Sequence, residues 1–129
     1  MKWDVFVTPG IPIAVRDRPA GERETYFQAM AATLIYGDRD ALLVDAFMTV
    51  EQASALADWV VSKKKDLTTI YITHGHGDHW FGVGTILERF PQARVVATPS
   101  TIQVMQGNAS PQGLPRGGRD FRVRFPRSW

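Results

Sequence analysis

Alternation and helical spacing of apolar residues divide the chain into short elements. Trp3–Thr8 reads as a strand closed by Pro9-Gly10, and Ile11–Val15 as a candidate second strand. Residues 16–25 are polar and read as a loop placed to cover a site. The runs Ala31–Tyr36 and Ala41–Val44 flank Gly37-Asp38-Arg39-Asp40, which has the composition of a hairpin turn. Thr49-Val50-Glu51-Gln52 has the form of a capping box, in which the first and fourth side chains each satisfy the other residue's backbone amide. It opens a helix whose apolar face is Val50, Ala53, Leu56 or Ala57, and Val60. Lys63-Lys64-Lys65 ends that helix. Cations at a helix C-terminus suit its dipole, and this explains the cluster better than a phosphate patch does. Thr69–Ile72 reads as a buried strand, Val83–Phe90 as a helix stopped by Pro91, and Arg94–Ala97 as the next strand. Thr98-Pro99 supplies the N-cap and first-turn proline of a helix reaching Gln106, with Gly107-Asn108 as its stop. The predicted order is four strands, then helix, strand, helix, strand, helix, which makes an α/β (α+β) domain.

Between the strand at Thr69–Ile72 and the next helix lies His74-Gly75-His76-Gly77-Asp78-His79, which contains all 3 histidines of the chain. Imidazole nitrogen and carboxylate oxygen are the usual ligands of zinc and related divalent cations. In extended chain, alternate residues face the same way, so His74, His76 and Asp78 can converge while His79 enters from the next bend. Gly75 and Gly77 let the chain turn tightly where ligands need room. Histidines scattered at random would not fall in one hexapeptide, which favours a metal motif over a solvated loop.

The hexapeptide resembles the H-x-H-x-D-H signature of the metallo-β-lactamase superfamily. Ala41-Leu42-Leu43-Val44-Asp45 looks like the family strand that ends in an aspartate beneath the metals. Phe81-Gly82 fits the variant with a glycine three residues after the last motif histidine. The resemblance covers residues 3 to 107. It implies the N-terminal half of an αββα sandwich, with a mixed sheet and helices on one face. It also implies a hydrolase holding up to two zinc ions, with iron or manganese as substitutes. On this resemblance His74 and His76 bind the first metal, and Asp78 and His79 the second. Asp78 also serves catalysis by orienting the attacking water, and Asp45 orients a ligand. A plain strand-capping role for Asp45 stands equally beside that one.

Family members take further ligands, a histidine, an aspartate and a last histidine, from later in a chain about twice as long. Here no histidine follows His79, cysteine is absent, and the later carboxylates are Glu88 and Asp120. The expectation is therefore that residues 1–110 form an incomplete N-terminal half that holds zinc weakly and turns over little or no substrate. Two alternatives stay open: the missing ligands come from another chain, or the chain is a non-catalytic metal-binding or interaction module. A half-core left uncovered would seek a partner, so self-association is expected, because layered folds bury one sheet face against another.

Charge changes one part of this picture. The formal net charge of +2 is uneven: residues 1–115 carry 10 Lys/Arg against 12 Asp/Glu, and residues 116–129 carry 5 Arg against 1 Asp. The Pro/Gly/Arg-rich tail, residues 111–129, admits three readings. It is a nucleic-acid arm with Phe121, Phe125 and Trp129 for stacking, a short Phe121–Phe125 strand, or sequence never selected to fold, such as a shifted reading frame. The abrupt composition change favours the last, so a disordered tail is expected and no nucleic-acid partner. The longest apolar run, Ala29–Tyr36, is far short of a membrane span, and no secretory signal is visible. A cytoplasmic protein acting on a small molecule is expected. Ser54, Ser62 and Ser100 have no uncommitted histidine to activate them, which argues against a serine nucleophile.

Overall fold

The structure is a computed structural model that describes residues 1–13, 21 and 26–109. The expectations for the tail, for most of the 16–25 loop, and for the end of an Ile11–Val15 strand lie outside the described residues. The elements in order are β1 (Lys2–Thr8), β2 (Ile11–Pro12), β3 (Tyr26–Phe27), β4 (Met30–Tyr36), β5 (Asp40–Val44), α1 (Val50–Ser62), β6 (Asp66–Tyr71), α2 (Gly77–Trp80), α3 (Val83–Arg89), β7 (Arg94–Val96) and α4 (Pro99–Asn108).

Strands β1-β4-β5-β6-β7 form one mixed sheet in that order, and β2 pairs with β3 beside it. The β1–β4 and β4–β5 pairs are antiparallel; β5–β6 and β6–β7 are parallel. The fold is thus the mixed α+β sheet that the element pattern and the family resemblance imply. The β4–β5 hairpin closes through Gly37 N donating to Asp40 O at 2.9 Å. Helix α1 opens on the expected capping box: Gln52 N donates to Thr49 Oγ1, and Thr49 N to Gln52 Oε1, both at 3.2 Å.

Ala32, Leu34, Ala41, Leu43, Ile70 and Ile72 point to one face of the sheet and are buried. Ala53, Leu56, Ala57 and Val60 of α1, with Val83 and Ile86 of α3, complete that core. Val50, read as part of the apolar helix face, is exposed instead, because it sits in the first turn. On the other face Trp3 (69% exposed), Val5 and Val7 are open, while Ile35, Leu42 and Val44 are half-buried.

Three further elements differ from the sequence reading. Strand β6 begins at Asp66 rather than Thr69, because Thr68 is bulged: Ala41 pairs with Leu67, but Leu42 pairs with Thr69. The bulge places Leu67 and Ile70 on the same buried face and breaks the alternation that marks a strand. Two of the three terminal lysines are engaged and not simply solvated, Lys63 with Asp4 at 2.7 Å and Lys65 with the Asp38 carbonyl at 2.7 Å. The single-turn helix α2 lies inside the histidine-rich segment, where no element was expected. Among the described residues no helix is long and apolar enough to cross a membrane.

Candidate metal centre

The histidine-rich segment leaves the carboxyl end of β6, a parallel strand flanked by β5 and β7. It is not extended. Residues 74–76 form a bend, His76 is the N-cap of α2, and Asp78 and His79 belong to that helical turn, with His79 N donating to His76 O at 3.0 Å. Alternate-residue convergence is therefore replaced by a bend followed by a turn.

The two motif glycines are needed for space. Neither takes a left-handed backbone. A Cβ on Gly75 would lie 2.5 Å from Val104 Cβ and 3.1 Å from Met105 N of α4, and one on Gly77 would run into the Phe81 ring. Gly75 also offers its carbonyl to two side chains, Trp80 Nε1 at 3.0 Å and Asn108 Nδ2 at 2.6 Å. Trp80, the residue after the motif, is in the core.

The β5–α1 connection packs against this segment through main-chain bonds. Asp45 N donates to Tyr71 O at 2.9 Å, Ala46 N to His79 O at 2.8 Å, and Gly82 N to Phe47 O at 3.0 Å. Asp45 and Phe47 take left-handed backbone, with φ of 64° and 63°. That conformation is uncommon outside glycine and aims the Asp45 carboxylate back over the motif.

Asp45 is buried and accepts from three donors. Its Oδ2 lies 2.8 Å from His79 Nδ1, its Oδ1 takes the Thr73 N–H at 2.9 Å, and Thr73 Oγ1 stands 2.8 Å from Oδ2. Thr73 Oγ1 is also 3.1 Å from His74 Nδ1. The His74 ring lies 4.9 Å from that of His76 and 3.8 Å from that of His79, and His79 Nε2 is 3.5 Å from Asp78 Oδ2. The structure thus brings His74, His76, Asp78, His79 and Asp45 into one cluster. Asp45, Asp78 and His79 border a cavity of about 200 Å³ completed by Gln28, Met30 and Phe47. Sequence reasoning missed Thr73, Gln28, Met30 and Asn108. Only Thr73 carried a signal, a hydroxyl adjacent to the first histidine.

The sequence profile of the Metallo-beta-lactamase superfamily matches residues 29–119. The chain belongs to this superfamily. Relatives include a hydroxyacylglutathione hydrolase of Francisella tularensis subsp. novicida, 34% identical over 64 residues, or 50% of this chain and 24% of that protein. The exodeoxyribonuclease WalJ of Streptococcus pneumoniae is 34% identical over 67 residues, 52% of this chain and 24% of the relative. Among solved structures, the MIM-2 metallo-beta-lactamase superposes with a TM-score of 0.54 at 27% identity, covering 72% of this chain and 36% of the other. The SMB-1 metallo-beta-lactamase in complex with mercaptoacetic acid gives 0.54 at 25% identity, covering 71% and 36%. This superfamily member spans about a quarter of the length of the curated relatives it matches.

The cofactor implied by the superfamily is one or two divalent cations, and the donors present suit part of such a centre. Asp78 Oδ2 and His79 Nε2 are 3.5 Å apart, close to the roughly 3.4 Å between two ligands of a tetrahedral zinc with bonds of about 2.1 Å. The contacts at Nδ1 of His74 and His79 leave Nε2 of each ring as the nitrogen available to a cation. The number of donors falls short: among the described residues no three His, Cys, Asp or Glu side chains converge on a point able to hold a metal.

Proposed function

We propose that this chain carries the N-terminal share of a metal-dependent hydrolase centre, holding its cations weakly and turning over little substrate alone. The observation that carries this reading is the clustering of three imidazoles and two carboxylates at the end of a parallel strand, with no three of them converging on one point among the described residues. His74 and His76 would hold one cation, and Asp78 and His79 a second, zinc by preference with iron or manganese as substitutes. When bound, such ions polarise an acyl or phosphoryl oxygen and acidify water. Asp45 holds the His79 ring in place, and Asp78, at the cavity wall, accepts a hydrogen bond from the attacking water. The substrate class is a small molecule with an ester, lactam, thioester or related bond, in keeping with hydrolases among the similar proteins. The net negative charge of residues 1–115 supports a small molecule over a nucleic acid.

Equilibrium dialysis of the purified chain against zinc tests the reading. Weak uptake, lowered by His76→Ala, is expected, with little hydrolysis of β-lactams, esters and thioesters in added zinc. Two tightly held equivalents per chain, or a substantial rate abolished by His76→Ala, would overturn the incomplete-centre reading.

A second reading, a non-catalytic module that pairs with another chain, is favoured by one observation. The apolar sheet face of Trp3, Val5 and Val7 continues into half-buried Ile35, Leu42 and Val44. Sedimentation of the wild type and Val5→Lys tests it: a concentration-dependent dimer lost in the variant supports pairing, and a monomer at high concentration removes it.

A further inference from the structure

We propose that Thr73 is a positioning residue that sets the tautomer and orientation of His74, by relaying to it the same Asp45 carboxylate that holds His79 directly. The derivation is a count of protons. Asp45 is a carboxylate facing His79 Nδ1 at 2.8 Å, so that nitrogen must donate and His79 carries its proton there. The Thr73 hydroxyl faces both carboxylate oxygens, at 3.1 Å and 2.8 Å, and His74 Nδ1 at 3.1 Å. A hydroxyl has one proton to give. The carboxylate can only accept, and its contact is the shorter, so the proton goes to Asp45. Toward His74 the Thr73 oxygen then accepts, which requires a proton on His74 Nδ1. The reverse assignment, Thr73 donating to His74, would leave an oxygen lone pair facing a carboxylate at 2.8 Å.

Both rings therefore carry hydrogen on Nδ1, which leaves Nε2 as the nitrogen of each that can offer a lone pair to a cation. His79 takes its tautomer from Asp45 directly; His74 takes its own through Thr73. The Thr73 N–H, donated to Asp45 Oδ1 at 2.9 Å, fixes the residue so that its hydroxyl reaches both partners. Thr73 is itself exposed, so replacing its side chain does not empty the core. Because the two histidines belong to different halves of the proposed centre, one hydroxyl ties the halves together. The value of this clasp for cation binding rests on the hydrolase reading; the tautomers themselves do not.

The test uses the full chain labelled with nitrogen-15 at histidine, in two-bond proton–nitrogen spectra at a pH where the rings are neutral. The wild type should show the Nδ1–H pattern for His74 and His79. In Thr73→Val, His74 should lose that pattern while His79 keeps it, and Thr73→Ser should restore it. Zinc affinity should fall about ten- to a hundredfold in Thr73→Val and recover in Thr73→Ser. A wild-type His74 protonated on Nε2, or a His74 pattern unchanged in Thr73→Val, would overturn the clasp even if that variant folds poorly, since the wild-type spectrum stands alone. A chain with the expected tautomers but no measurable zinc binding would instead count against the hydrolase reading.

Discussion

The Trp80 indole donates to the Gly75 carbonyl at 3.0 Å and so ties the far end of the histidine-rich segment back to its start. Asn108, at the end of α4, donates to the same oxygen at 2.6 Å. One buried carbonyl thus joins the bend, α2 and α4. Removing either donor leaves the other in place, whereas removing both strips the oxygen of the two. Trp80→Phe and Asn108→Ala should each destabilise by about 1–2 kcal/mol. The double variant should lose more than the sum, since the two side chains share one acceptor. Urea denaturation measures all three, and strictly additive losses would contradict the shared role.

The glycines of the segment rank by what stands in the way of a Cβ. At Gly82 it would meet the Ala46 carbonyl oxygen and lie 2.7 Å from Ala53 Cβ; at Gly75 it meets mainly the Val104 side chain. Backbone yields less readily than a side chain. Gly82→Ala should therefore cost more than Gly75→Ala, which should cost about 1–3 kcal/mol. Gly37→Ala, with open space around it, serves as the near-neutral control. Thermal melts that place Gly75→Ala level with Gly37→Ala would refute the close approach of α4.

Asp45 combines a left-handed backbone with three accepted hydrogen bonds, so the replacement decides which is lost. Asparagine tolerates that backbone, whereas alanine adds strain and takes the acceptor away from the Thr73 and His79 donors. Asp45→Ala should destabilise by about 2–4 kcal/mol and Asp45→Asn by clearly less. Both should weaken zinc binding about ten- to a hundredfold. Equal stability of the two variants in urea would mean that the backbone at this position is not constrained.

Much of this architecture was legible because its signals are local. The hexapeptide declares its chemistry by residue type, the capping box by a spacing of three, and the hairpin by its turn residues. What escaped notice depends on contacts distant in sequence. Thr68 hides the start of β6, because a bulge looks like a failure of alternation. Gly75 is small on account of Val104, which lies on a later helix, so a reading of the hexapeptide alone mistakes a tight fit for a tight turn. The two-residue β3 is too short to carry a period, and its pairing with Ile11–Pro12 becomes visible only in three dimensions.

Stability at the opposite end of the sheet should follow pH through Asp4. Lys63 Nζ donates to Asp4 Oδ2 at 2.7 Å and the Tyr36 hydroxyl donates to the same oxygen at 3.0 Å. The Lys63 bond first, and the Tyr36 bond second, hold this carboxyl below its ordinary value of 3.8. A depressed folded-state value means that the contribution is complete above pH 3.8 and fades as pH falls through the lower value. The bond to Asp4 also raises Tyr36 above its ordinary 10.0, so the Tyr36 share is complete below pH 10.0 and is lost as pH rises past the raised value. The difference in melting temperature between wild type and Asp4→Asn should be steady near neutrality and close in strong acid. A difference that persists undiminished at about pH 2 would show that the carboxylate is not its source.

The three main-chain bonds that lace the β5–α1 connection to Tyr71, His79 and Gly82, on either side of the motif and at its last residue, have a consequence for how such a centre can change. Peptide groups are common to every residue, so these three bonds do not depend on which side chains stand at positions 74, 76 and 79. If the proposed centre holds a cation, exchanging a histidine for an aspartate or a cysteine at position 74 or 76 would alter the ion preference while these main-chain bonds remain. Chemical identity and geometric address are stored separately here, and a lineage could rewrite the first while inheriting the second.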